Sequence, residues 1–80
     1  MNTVEAVAKR IAKLCNERGI TINALSYLSG VPNSTIMGIF YRRSKNPGIT
    51  NIKKICDGLQ ITLGEFFSTP EFDALEQEIK

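Results

Sequence analysis

The chain has no histidine, no tryptophan and only two cysteines in 80 residues. Without His, the Ser-His-Asp and Cys-His nucleophilic arrangements cannot be assembled, and the usual catalytic zinc sets lose their commonest ligand. Cys15 and Cys56 stand far apart and form neither a metal-type pair nor a disulfide framework. Both fall on apolar positions of helical patterns, so buried thiols in a reducing compartment are expected. Long apolar runs are missing too, none approaching the roughly 18 residues of a membrane span. The start, Met1-Asn2-Thr3-Val4-Glu5, lacks the pattern of a signal peptide. A cytoplasmic protein without membrane contact, metal, cofactor or small-molecule ligand is therefore expected. So short a chain also offers little pocket, and an enzyme is not expected.

What is present is ordinary globular material, 42% apolar and 22% charged, enough for one small domain with a packed core. The net charge of +2 conceals a division. Residues 1–54 carry nine basic and two acidic side chains, whereas residues 55–80 carry one basic and six acidic. The chain is a basic body with an acidic end.

Apolar residues recur with a period near 3.6, which predicts an all-α fold. Helix 1 is expected from about Thr3 to Arg18, with Val4, Val7, Ala8, Ile11, Leu14 and Cys15 inward, Asn2 as N-cap with Thr3 competing for the role, and Gly19 as stop. Helix 2 begins after Thr21 as N-cap, turns Leu25 and Leu28 inward and ends near Ser29. Gly30-Val31 makes a tight turn, and Pro32 precedes a third helix over about 33–41, capped by Asn33 or Ser34. Tyr41 through Gly48 is polar, basic and broken by Pro47-Gly48, hence a surface loop. Helix 4 follows from Thr50, with Ile52, Ile55, Cys56 and Leu59 inward and Gly58 as its terminating glycine. Thr62 and Glu65 form a capping box for a short fifth helix. Residues 70–80 are expected to form an acidic amphipathic helical tail with Phe72, Leu75 and Ile79 on one stripe, beside a domain of residues 1–69.

Two short helices meeting at a glycine turn have the spacing of a helix-turn-helix. Ser26 is small where the helices must cross, Gly30 can take a positive φ, and Leu25, Val31, Ile36 and Ile39 can fill the angle between them. On helix 3, Ser34, Gly38 and Tyr41 lie opposite Ile36, with Met37 and Arg42 at the edges and Asn33 at the tip. Such an uncrowded polar face suits a major groove. Asn pairs with adenine, Ser reads either hydrogen-bonding sense, and Met contacts a thymine methyl. Asn33, Ser34, Met37 and Gly38 are the candidate base-reading residues. Thr21, Asn23 and Thr35, with Tyr41, Arg42, Arg43, Ser44 and Lys45, are the candidate phosphate contacts.

At these residues the chain resembles the Cro and phage-repressor type of helix-turn-helix regulators, the Xre-like family. The matching stretches are Ile20 to Ser26, Gly30-Val31-Pro32, Ser34-Thr35-Ile36, Ser44 to Pro47, Ile52 to Cys56 and Leu59 to Phe67. The resemblance covers about residues 4–68. It implies a five-helix lambda-repressor-like domain that binds double-stranded DNA, usually as a homodimer on a near-palindromic operator, in a small transcriptional regulator or repressor. It places base reading on Asn33, Ser34 and Gly38, and backbone contacts on the start of helix 2 and on Tyr41, Arg43 and Lys45. Ile22 stands where the family often has Gln, and Tyr41-Arg42 where it often has Asn-Gly.

Phe66, Phe67, Phe72, Leu75 and Ile79 supply more apolar surface than one short end needs, and are the candidate dimerisation residues. The alternative for them is a tail folded back to seal its own core. The alternative for the whole chain is a protein-interaction module, such as an antitoxin or antirepressor partner, using the acidic tail and the same apolar end.

Overall fold

The computed structural model describes residues 2–41 and 46–79. In them six helices follow one another: α1 (Thr3–Arg18), α2 (Ile22–Ser29), α3 (Asn33–Phe40), α4 (Ile49–Leu59), α5 (Leu63–Phe67) and α6 (Pro70–Asp73). The described residues contain no strand, and the all-α expectation stands.

Local chemistry sets most of the boundaries. The Asn2 side chain accepts from the Glu5 amide at 2.8 Å and opens α1. Gly19 closes it at φ 62°, where any other residue would be strained. The Gly19 and Ile20 amides then bond back to the Asn16 and Cys15 carbonyls, which satisfies the helix end. Thr21 caps α2 through the Ala24 amide, and Gly30 at φ 72° ends it. Thr62 and Glu65 form both bonds of the capping box that opens α5.

One core joins the elements. Ile11 of α1, Leu25 of α2, Ile36 and Ile39 of α3, Ile55 and Leu59 of α4 and Phe66 of α5 are all essentially inaccessible, with Val31 of the turn among them. Each such aliphatic side chain contributes about 1.5–3 kcal/mol by leaving water. Cys15 and Cys56 are buried free thiols in this core. Burial is the main cause that pushes both thiols up in pKa.

The structure departs from the sequence expectations at five points. Leu28 is half exposed rather than inward, because in this last turn α2 meets α4 through its backbone, at Gly58, and not through the Leu28 side chain. Gly58 does not end α4. That helix continues to Leu59 and ends at Gln60, which takes the left-handed conformation at φ 59°. Gly58 is instead where α2 crosses α4. A Cβ there would lie 2.9 Å from the Leu28 carbonyl carbon and from the Ser29 N and Cα. Helix α4 starts at Ile49, one residue before Thr50, with Gly48 as its N-cap.

Neither Asn33 nor Ser34 caps α3, since the helix already includes both and Pro32 holds the cap position without a side-chain bond. Finally, α6 is a single turn, and residues 75–79 are not helical. One turn is too short to sustain itself. Continuing it would also set Glu76 and Glu78 at a helix C-terminus, where the dipole disfavours negative charge. Ile79 is 88% exposed, so the expected stripe of Phe72, Leu75 and Ile79 does not form.

The tail nevertheless folds back. Phe72 packs against Phe67 and Phe66, with ring centroids 4.9 and 6.0 Å away. Further along, the Thr3 hydroxyl donates to the Glu78 carboxylate at 2.5 Å, which ties the tail to the start of α1. Arg10 completes this end of the molecule. Its guanidinium donates to the carbonyls of Phe66 at 2.7 Å and Glu65 at 2.9 Å, satisfying the end of α5.

Candidate nucleic-acid interface

The corner between α2 and α3 is held from inside. Leu25, Val31, Ile36 and Ile39, the four positions marked for the angle, are each at most 1% exposed. Ser26 does more than stay small. Its hydroxyl donates to the Val31 carbonyl at 2.6 Å and ties α2 across the turn. The Val31 amide in turn donates to the Ser29 hydroxyl at 3.2 Å. These contacts fix how α3 is presented.

With Ile36 and Ile39 buried, the opposite side of α3 is left accessible. Ser34 is exposed, and Asn33, Thr35, Met37 and Gly38 are half-buried. Tyr41, 63% exposed, caps the C-terminal end of α3 through its backbone amide. The structure brings Asn33 together with Asn23. The Asn33 side-chain amide donates to the Asn23 side-chain oxygen, Oδ1, linking the first turns of α2 and α3. That bond uses one of the two Asn33 N–H donors, so the side chain keeps a second donor and its carbonyl acceptor for another partner.

Thr21 and Asn23 head α2 and are exposed. The Thr21 oxygen accepts from the Ala24 amide at 3.1 Å and keeps its own proton to donate. The helix dipole places partial positive charge at the same end, which favours a phosphate. Arg42, Arg43, Ser44 and Lys45 lie outside the described residues. Lys9, Lys13 and Arg18 on α1 and Lys53 and Lys54 on α4 are exposed, and Lys53 pairs with Asp57 one turn on.

The five candidate dimerisation residues separate. Phe66 is in the core, Phe67 and Phe72 are half-buried against it, Leu75 is half-buried and Ile79 is exposed. Beside them Glu71 is held below the ordinary carboxylate range by its own backbone amide, then by the Thr69 hydroxyl, with Lys13 and Arg10 adding attraction.

Three features of this region were not legible in the sequence: the Asn23–Asn33 link, the Ser26 tie and the two bonds of Arg10 to α5. The first joins two side chains and the second a hydroxyl to a backbone carbonyl, both across the turn, and they depend on the angle between helices, which residue spacing alone does not set. Arg10 falls at the margin of the α1 stripe, and nothing local marks its partner 56 residues on.

A family model for the Cro/C1-type HTH DNA-binding domain matches residues 10–71. A solved structure described as the crystal structure of the prophage Lp1 protein 11 is similar to this chain at 36% identity. The match covers 94% of this chain and 100% of that one, with a TM-score of 0.82. No curated protein matches. Among the described residues no helix is long and apolar enough to cross a membrane.

Proposed function

Since the chain belongs to the Cro/C1-type helix-turn-helix DNA-binding family, we propose that it is a sequence-specific transcriptional repressor that lays α3 in the major groove of its operator. The observation that carries this reading is the outward face of α3, headed by an Asn33 whose donor and acceptor are oriented by Asn23. A bidentate amide of this kind matches the N6 and N7 edge of adenine. Ser34 reads the neighbouring base, and Met37 and Gly38 lie further along the groove.

Phosphates on either side would be met by Thr21, Asn23 and Thr35, and by Tyr41, Arg42, Arg43, Ser44 and Lys45. These contacts fix the register of the helix without reading sequence. Residues 1–69 form the DNA-binding body, and the acidic residues 70–80 keep one end of the molecule away from phosphate. The protein acts in the cytoplasm, without cofactor, as a homodimer on a near-palindromic site. Its two α3 helices then sit one DNA turn apart, about 34 Å. Phe67, Phe72, Leu75 and Ile79 are the apolar residues available for that pairing, since Phe66 is enclosed in the core. Occupying the operator is enough to repress, because it blocks the same DNA to polymerase.

Selection of bound sites from random duplex DNA tests the proposal. The protein should enrich one short, near-palindromic sequence. Asn33→Ala should lose preference at one base pair per half-site, and Arg43→Ala should weaken binding to all sequences alike. Enrichment of no sequence, with tight capture of a basic protein partner instead, would favour an antitoxin-like interaction module.

A further inference from the structure

Two of the large apolar side chains that the described residues expose lie at one place. Ile49, 60% exposed, opens α4, and Ile79, 88% exposed, follows Glu78 in the tail. Ile49 and Glu78 both line a groove of about 640 Å³ between the first turns of α1 and α4. Its apolar wall is Val4, Val7, Ile49, Ile52 and Phe67. The groove has room for several side chains, and Ile49 gains most by being covered.

Electrostatics adds a second requirement. Two helices begin at the groove, and each N-terminus carries partial positive charge. On the α1 side the chain's own Glu78 accepts from the Thr3 hydroxyl. On the α4 side Gly48 supplies no side-chain cap, and the first turn holds no acidic residue. An occupant suited to this groove is therefore apolar with carboxylates beside it. Residues 71–79 have that composition, with Leu75 and Ile79 set among Glu76 and Glu78 and no Lys or Arg between them.

We propose that the groove receives the tail of a second copy of the chain, with Ile79 of each copy packed on Ile49 and Phe67 of the other. The inference rests on the homodimer reading above and names the surfaces that pair. Groove and protruding Ile79 are neighbours on one surface, so a two-fold axis beside Glu78 makes the same contact twice. Within one chain the contact is not made, since Glu78 is held at Thr3 while Ile79 stays exposed.

The test uses the full chain. Sedimentation of the wild type should show a concentration-dependent dimer. Ile49→Ser and Ile79→Ser should each raise its dissociation constant about tenfold. Both side chains are exposed in the single copy, so the melting temperature of the dilute monomer should not change, which separates pairing from folding. Cysteine variants locate the contact. Under air oxidation, Ile49→Cys mixed with Ile79→Cys should give the mixed disulfide dimer in preference to either homodimer. The inference is overturned if either serine variant dimerises as the wild type does, or if the mixture yields no mixed disulfide while the wild type is a dimer. A wild type that stays monomeric at every concentration, free and on its selected duplex, would overturn the homodimer reading and this inference with it.

Discussion

The Asn33 side chain donates to that of Asn23, and in the proposed reading the two act as one unit, the second orienting the first. Replacing either should therefore cost similar specificity at the same base pair. In a double-mutant cycle on operator affinity, Asn23→Ala and Asn33→Ala should be non-additive, with a coupling of about 0.5–3 kcal/mol. Strict additivity in that titration would show that the two side chains act separately. The exposed tip position of Asn33 was legible from the wheel of α3, but its partner was not, because the two residues meet only through the angle of the corner. Glycines show the same limit. Gly58 stands near the end of a helical pattern and reads as a terminator, yet its neighbours in space are the backbone atoms of Leu28 and Ser29. Gly58→Ala should lower stability by about 1–3 kcal/mol in urea denaturation, although alanine is the better helix former. A gain in stability would mean that α2 and α4 can part at no cost.

Among the elements, those with a complete local signature were legible and those that depend on tertiary contacts were not. Asn2 with Gly19, Thr21 with Gly30, and Thr62 with Glu65 bound α1, α2 and α5 as the sequence indicates. Thr62→Ala should cost about 1 kcal/mol, since it removes the acceptor for the Glu65 amide. Thermal unfolding would measure it directly. Helix α3 has no side-chain cap, so its start is set by Pro32 and by the burial of Ile36 and Ile39. The sequence suggests a longer α6 because Phe72, Leu75 and Ile79 are spaced like a stripe. Only Phe72 finds aromatic partners, and the acidic residues after it disfavour further turns.

The seat of α6 also titrates. The folded-state pKa of Glu71 is depressed, so its contribution is present above the ordinary carboxylate range and is lost as pH falls through the depressed value. Glu71→Gln should therefore be less stable than wild type at neutral pH, and the gap in melting temperature should close on acidification. A gap that persists in acid would assign the loss to packing rather than charge.

For the molecule as a whole, the balance of +2 is a cancellation between a basic body and an acidic end. The five-helix body and its helix-turn-helix corner were legible because period, turn glycine and capping residues agree across the same stretch. Oligomeric state was not, because an apolar residue near a chain end serves a self-packed tail and a dimer interface equally well. Phe66 is enclosed, Phe72 packs half-buried against it, and Ile79 remains exposed. Sedimentation of a 1–69 truncation should give a monomer if residues beyond 69 form the homodimer interface, and an unchanged oligomer if they do not.

The division of charge matters most when DNA approaches, since phosphate contacts release counterions and make affinity fall with salt. The central claim is that the exposed face of α3 reads a specific DNA sequence, with basic residues gripping the backbone beside it. The most direct measurement is a titration of the purified protein on its selected duplex and on a scrambled duplex of equal length, between about 50 and about 200 mM salt. The selected duplex should bind at least about a thousandfold more tightly. Both affinities should fall linearly on a log–log salt plot, with a slope near −0.9 per phosphate contacted. Equal affinity for the two duplexes, or a salt-independent constant, would contradict the claim.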